Sequence, residues 1–466
     1  MRQIPTIFMR QVRQHGHFTR EYCPKSDEFY DLVINGGGLA GMATAVTMAR
    51  SPAFQNRKIL LVDKANAASP SSPIANPESK RWNSRVVAIN PGSMQLIFSW
   101  GDKAWDKIEN NGVGRICTMK IADAASNAHL TFGDSYEPLA WIVEASNLLN
   151  VFNDYLQQAI KDGKITLKNE SSVVDVGSNS SGELLNLKMD PEEEESQRIW
   201  TKLVVVADGA SSNLREQLLF RKVSFDYEQL GVVATLKLSN NQLDTAWQRF
   251  LPTGPVALLP LDEKHSSLVW SCDKSMASTL LALSDDEFVA TLNDALHSKT
   301  MVQKPITQLV DQVRQISPKF MKPANERFNP PDVKKVLGKR MSFPLKLMHA
   351  MPTTQHRVVL VGDAAHTLHP MAGLGLNLGL GDVAELRRVL EDGYSKGEDI
   401  GTTEQLATFR LQRSAHSVPL AATTHILHHL YATQFPPVVA ARSLGLTALD
   451  LLSPVKTFVT SQASQL

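Results

Sequence analysis

The segment "NGGGLAGMA", residues 35–43, follows the apolar run "DLVI" and leads into "TAVTMAR". Gly36, Gly38 and Gly41 stand at the spacing of a dinucleotide fingerprint. Gly36 permits a tight turn, Gly38 lets backbone approach a pyrophosphate, and Gly41 lets the following helix pack close to the strand. The helix N-terminus then faces phosphate charge. After the helix and the loop "SPAFQNR", the run "KILLVD" reads as a buried strand ending at Asp63, 22 residues past Gly41, where an acid can bind ribose hydroxyls. Strand, turn, helix and strand form one βαβ unit. Taken alone, the same glycines also serve a bend that holds nothing.

Composition sets the frame around this unit. At 466 residues the chain is long enough for two or three domains. Its 43% hydrophobic and 20% charged residues are those of a globular protein, and a formal net charge of +1 supplies no field to attract nucleic acid. Cys23, Cys117 and Cys272 form no CxxC pair, which argues against a disulfide framework or a zinc site. The opening "MRQIPTIFMRQVRQHGHFTRE" carries Arg2, Arg10, Arg13 and Arg20 with no acid before Glu21. Residues 1–25 therefore read as a mitochondrial transit peptide, the alternative being a disordered basic arm. No run of 18 apolar residues suggests a transmembrane helix.

Farther along, residues 65–80 read as a long surface loop, and "MDPEEEESQR" at 189–198 as a solvated hairpin tip. Between 220 and 275 the runs "GVVATLKL", "AWQRFLP", "PVALLPL" and "SSLVWSC" predict a mostly antiparallel sheet. Residues 277–320 read as helical, 357–361 as a buried parallel strand, and 402 onward as helices with amphipathic stretches.

Two further segments match the first. "LVVVADGASSNLR", 203–215, is an apolar strand ending in Asp208-Gly209, and "VVLVGDAAHTLHPMAGLGLNLGLGDVAEL", 358–386, is a strand ending in Gly362-Asp363 before a glycine-dense helix start. Three strand-end motifs in this order point to a flavin. The trio resembles the aromatic-ring flavoprotein monooxygenases of the para-hydroxybenzoate hydroxylase type. "SRVVAINPGS" at 84–93, "WIVEASNLL" at 141–149 and "WQRFLPTGPVALLPL" at 247–261 resemble the ubiquinone-biosynthesis branch, and the likeness spans about residues 30–460.

That resemblance implies an α/β fold: a Rossmann-like FAD-binding domain (28–115, 146–216 and 338–400), an inserted mostly antiparallel β-sheet substrate domain (116–145 and 217–337), and a C-terminal helical segment (401–466). It implies an FAD that activates dioxygen as a flavin hydroperoxide and hydroxylates a polyprenylated hydroxybenzoate-type ring. It further implies electrons from a ferredoxin and its reductase, other ubiquinone biosynthesis proteins as partners, and a peripheral place on the matrix face of the mitochondrial inner membrane. The fingerprint glycines and Asp63 would hold the ADP portion, Asp363 the ribityl hydroxyls, and Arg85 the phosphate or ribityl region. The start Gly373, Gly375, Leu376 and Asn377 would offer N–H groups to the pyrimidine edge of the ring, where a helix N-terminus stabilises negative charge.

Other assignments stay open at this level. Asp208 either walls the flavin or caps a strand end. Trp247, Arg249 and Phe250 are candidates for substrate contact or for core, and His366 and His369 for substrate contact or for satisfied packing. No carboxylate spacing completes a metal site with the two histidines. The C-terminal stretches either meet a membrane or a partner, or pack on the flavin domain. Val206 departs from the family, which often has Gly there, and Leu374 stands where many relatives carry Gln. Rival readings are a reductase or epoxidase of the same superfamily, a flavin-bound scaffold subunit, and a nicotinamide dehydrogenase using the first motif alone.

Overall fold

The structure is a computed structural model that describes residues 28–65, 84–101, 103–126, 128–133, 136–190, 199–242, 244–298, 302–316, 328–369, 373–452 and 456. The N-terminal 25 residues, most of the 65–80 loop and the four consecutive glutamates lie outside these.

Short, continuously apolar runs make the first sheet. Its strands Glu28–Asn35, Ile59–Val62, Ile165–Lys168, Ile199–Val206 and Val358–Leu360 are all parallel, in the order 358–360, 199–206, 28–35, 59–62, 165–168. Runs such as "ILLV" and "VVL" have every side chain buried, as a parallel sheet covered on both faces requires. Each fully buried Leu, Ile or Val contributes about 1.5–3 kcal/mol relative to exposure. The register sets the functional edge. Asn35 pairs level with Val62 and with Val206, and Val206 level with Leu360. The turns after residues 35, 62, 206 and 360 therefore leave the sheet side by side at the carboxyl ends of its strands, where open α/β sheets bind ligands. An antiparallel pair, Ser172–Ser178 and Leu185–Asp190, extends the sheet, with Leu185–Leu187 paired to Ile199–Thr201.

The second sheet has eight strands in the order 366–367, 333–350, 222–238, 265–273, 254–260, 245–251, 118–123, 129–132. Every pairing is antiparallel except Thr245–Leu251 with Thr118–Asp123. One face buries Val232, Ala234, Leu236, Trp247 and Leu258 against Phe288, Leu292 and Ala277 of the helices Lys274–Ala282 and Asp285–His297. The strand Val333–Ala350 pairs with Lys222–Leu238 along its length. It runs unbroken across the expected boundary at 337/338, so residues 338–350 lie in the antiparallel sheet. Likewise, Ala140–Glu144 joins Val86–Ile89 and Gly114–Ile116 in a small third sheet.

The last parallel strand leads straight into the second sheet. The Gly362–Ala364 turn, which closes the last parallel strand, runs directly into His366–Thr367, the edge strand of the second sheet, and Ala350 N–H donates to Ala365 C=O at 2.8 Å. At the other end, the helices Thr403–Ala432 and Pro436–Leu451 dock through Arg442, which donates to both Asp123 carboxylate oxygens at 2.9 and 3.1 Å. Arg442 also donates to the Leu430 and Thr433 carbonyls at the end of the longer helix.

Candidate active site

Backbone sterics show how tightly the strand ends meet. A methyl group on Gly36 would lie 2.4 Å from the Ala207 carbonyl oxygen and 2.8 Å from Asp208 Cα, and its φ of +116° suits glycine alone. One on Gly41 would lie 1.7 Å from the Gly36 oxygen, one on Gly362 2.9 Å from Ala40 Cβ, and one on Gly379 3.0 Å from Gly362 Cα. A methyl on Gly373 would come within 3.1 Å of Ala88 Cβ. The fingerprint, the Asp208-Gly209 turn, the Gly362-Asp363 turn and the helix Gly375–Ser395 thus lie within van der Waals reach of one another. Asp63 closes the group, accepting from Gly37 N–H and, at 2.7 Å, from Ala65 N–H.

This edge fits a large anionic cofactor. A methyl on Gly38, Gly209 or Gly375 would meet no protein atom within 4 Å, so open space lies over these backbones. Helix Gly375–Ser395 begins at Leu374 without a side-chain cap, leaving first-turn N–H groups for an external acceptor. Asp208 Oδ1 is a buried oxygen that has no hydrogen-bond partner among the described residues. Asp363 is reached by solvent yet hemmed in by protein, as befits a carboxylate on a cleft floor. That desolvation raises its pKa, while the charges of His366 and Arg85 pull it partly back. Arg85 therefore lies near enough to Asp363 for its charge to act on that carboxyl. Asn377 is buried, with its side chain held inside: it accepts from Asn90 N–H at 2.9 Å and Ser93 O–H at 2.7 Å, and donates to Ala88 C=O at 2.8 Å. Gly375 and Leu376 open the same helix, two and three residues after Gly373.

The substrate candidates divide. Trp247 and Arg249 share the face turned to the helices, since alternate residues of a strand point the same way. Trp247 packs edge-on to Phe328, and Arg249 donates to the carbonyls of Ala295, at 2.9 Å, and Ser298, closing the end of helix Asp285–His297. Phe250, on the opposite face, stacks on Tyr431 with centroids 3.9 Å apart. His366 is buried with Nε2 2.8 Å from Asp382 Oδ2, an internal pairing. His369 is different. It is 2% exposed, and among the described residues neither ring nitrogen has a hydrogen-bond partner. Burial, with His428 nearby, takes its pKa down to about 3, so the ring is neutral. Tyr227 and His428 flank it at centroid distances of 5.0 and 5.6 Å.

Beneath the Gly362 turn lies a group that the sequence reading missed. Asp382 Oδ2 accepts from Gly362 N–H at 2.9 Å and Oδ1 from Arg413 Nε at 2.8 Å. Burial alone would raise the Asp382 pKa; His366, Arg413 and the Gly362 N–H outweigh it and hold the carboxylate ionised. In the sequence Asp382 stands out only as an acid directly after Gly381 among mostly apolar buried positions of this helix, and nothing local marks its partner Arg413.

Comparison with known proteins agrees with this geometry. A family model described as FAD binding domain matches residues 30–317 and 311–417. Over 440 residues the chain is 37% identical to the mitochondrial ubiquinone biosynthesis monooxygenase COQ6 of Xenopus tropicalis, covering 94% of this chain and 93% of that one. The chain belongs to this FAD-binding monooxygenase family. The Homo sapiens member is 34% identical over 454 residues, covering 94% and 93%. Among solved structures, p-nitrophenol 4-monooxygenase PnpA of Pseudomonas putida superimposes with a TM-score of 0.64 at 15% identity, covering 94% of this chain and 99% of that one. PqsL of Pseudomonas aeruginosa, described as a probable FAD-dependent monooxygenase, gives 0.63 at 16%, covering 90% and 100%. These two share the fold. As a member of the monooxygenase family, the chain is an FAD-dependent monooxygenase.

Proposed function

We propose that this FAD monooxygenase hydroxylates the aromatic ring of a polyprenylated hydroxybenzoate-type intermediate in ubiquinone biosynthesis, with electrons from a ferredoxin and its reductase. The observation that carries the reading is the likeness, along 94% of the chain, to monooxygenases named for that pathway. The bound FAD supplies oxygen activation. The protein's residues do the rest. Gly36, Gly38, Gly41 and Asp63 hold the adenosine diphosphate end, Arg85 and Asp363 the ribityl portion, and the helix start at Gly373–Asn377 directs its N–H groups at the ring edge. Asp208, with its unpartnered oxygen, lines the wall. Neutral His369, flanked by Tyr227 and His428, offers an uncharged hydrogen-bonding group to a ring oxygen. The antiparallel sheet covers the site and excludes water.

The division into flavin domain, substrate domain and C-terminal helical segment belongs to the same proposal. So does a mitochondrial address on the matrix face of the inner membrane, beside other proteins of the pathway. The relatives' mitochondrial names and the basic, acid-poor N-terminus support it, and an insoluble prenyl tail suits a peripheral enzyme. No helix among the described residues is long and apolar enough to cross a membrane.

The test is direct. FAD-loaded enzyme is given a short-chain prenylated 4-hydroxybenzoate and oxygen, reduced in parallel by ferredoxin with its reductase or by NADPH. A product one oxygen atom heavier, formed faster with ferredoxin, is the expected result. Flavin reduction without oxygen insertion would instead support the reductase reading.

A further inference from the structure

We propose that Asp382 and Arg413 are positioning residues for the cofactor turn, coupling FAD retention to docking of the C-terminal helix Thr403–Ala432. The inference rests on the reading that the Gly362–Asp363 turn holds FAD. Asp382 accepts from Gly362 N–H, one residue before Asp363. Arg413 spans two elements: from helix Thr403–Ala432 it donates to Asp382 Oδ1 at 2.8 Å and to the Leu378 carbonyl at 3.0 Å. Both side chains are buried, at 1% and 5% exposure. Next to this contact, His349 Nε2 lies 2.8 Å from Ser417 Oγ on the same helix. The fit is close enough to exclude a side chain. A methyl on Gly381 would lie 2.7–3.0 Å from three atoms of the Arg413 guanidinium.

A helix that must be docked for the turn to be held gains from FAD what FAD gains from it, because coupling between two binding events is reciprocal. Loss of the helix contact leaves Asp382 held only on its Oδ2 side, by His366 and the Gly362 amide, and loosens the turn that carries Asp363. Removing one partner of a buried charged pair leaves the other without compensation.

Gly381→Ala is the discriminating variant. Alanine favours helix over glycine, so local propensity predicts a firmer helix. The coupling predicts a displaced Arg413 and an FAD dissociation constant raised about tenfold, as loss of one charge-assisted hydrogen bond would cause. Asp382→Asn and Arg413→Gln should weaken FAD comparably, and Arg413→Lys should recover part of the loss. Hydrogen exchange supplies a readout independent of turnover. In the wild type, FAD should slow exchange across residues 405–417, and in Gly381→Ala that protection should disappear. Leu411→Ala, on the exposed face of the same helix, should change neither quantity. Wild-type FAD affinity in folded Gly381→Ala and Asp382→Asn would overturn the coupling, as would exchange in wild-type 405–417 that ignores FAD. Asp363→Ala tests the underlying reading separately: undiminished FAD affinity there would refute the turn's role itself.

Discussion

At the scale of the residue, the glycines separate folding from binding. Gly36→Ala forces a methyl into the Ala207 carbonyl at a positive φ, and should cost about 2–4 kcal/mol of stability as well as the cofactor. Gly38 has φ −74° and open space beside it, so Gly38→Ala should leave the melting temperature of FAD-free protein unchanged while weakening FAD binding. Thermal melts paired with FAD titrations check both. Asp363 carries the opposite trade. Its raised pKa means that ionising it costs the folded state free energy, a cost absent while the carboxyl is protonated and present once pH has risen through the folded pKa. Asp363→Asn should therefore stabilise FAD-free protein at neutral pH, lose that advantage at low pH, and bind FAD less well. Residues of this kind were legible because a turn or a phosphate contact demands a particular backbone. Asp382 and Arg413 were not, since a pairing across 31 positions leaves no local pattern.

Among elements, strand parity decides what a side chain can do. The sequence reading located the strand Thr245–Leu251, but which alternate face meets the flavin side is set by the helices packed beyond it. Arg249, turned toward them, should be a stability residue. Arg249→Ala is expected to cost about 1–3 kcal/mol by freeing the end of helix Asp285–His297, with KM for the ring substrate unchanged. Helix Pro436–Leu451 is fastened to the antiparallel sheet through the buried pair of Arg442 with Asp123. Arg442→Ala should cost about 3–5 kcal/mol by stranding Asp123, whereas the double change Asp123→Asn with Arg442→Met should cost less. Denaturant unfolding of the two variants measures the difference. Strand and helix existence was readable from periodicity. That pairing, which joins residues 319 positions apart, was not.

For the whole molecule, buried imidazoles set the acid limit. Burial lowers the pKa of His349, His416 and His425, takes His428 to about 4 and takes His369 to about 3. Each binds its proton less tightly folded than unfolded, so its contribution is complete above the unfolded pKa and declines as pH falls toward the folded one. His369 alone should cost about 2 kcal/mol between roughly pH 7.5 and 5. His369→Gln should flatten that part of the stability profile, measured by urea midpoints. Fold class was visible at this scale because three strand-end motifs imply one sheet edge. How the layers are joined was not, and there the molecule is most constrained. Only Ala365 separates the Gly362–Ala364 turn from the edge strand of the covering sheet. A lever that short has no slack: in the proposed arrangement, pressure from a guest seated beneath the roof would reach Asp363 without a hinge, so guest and cofactor would feel each other's arrival through a handful of backbone bonds.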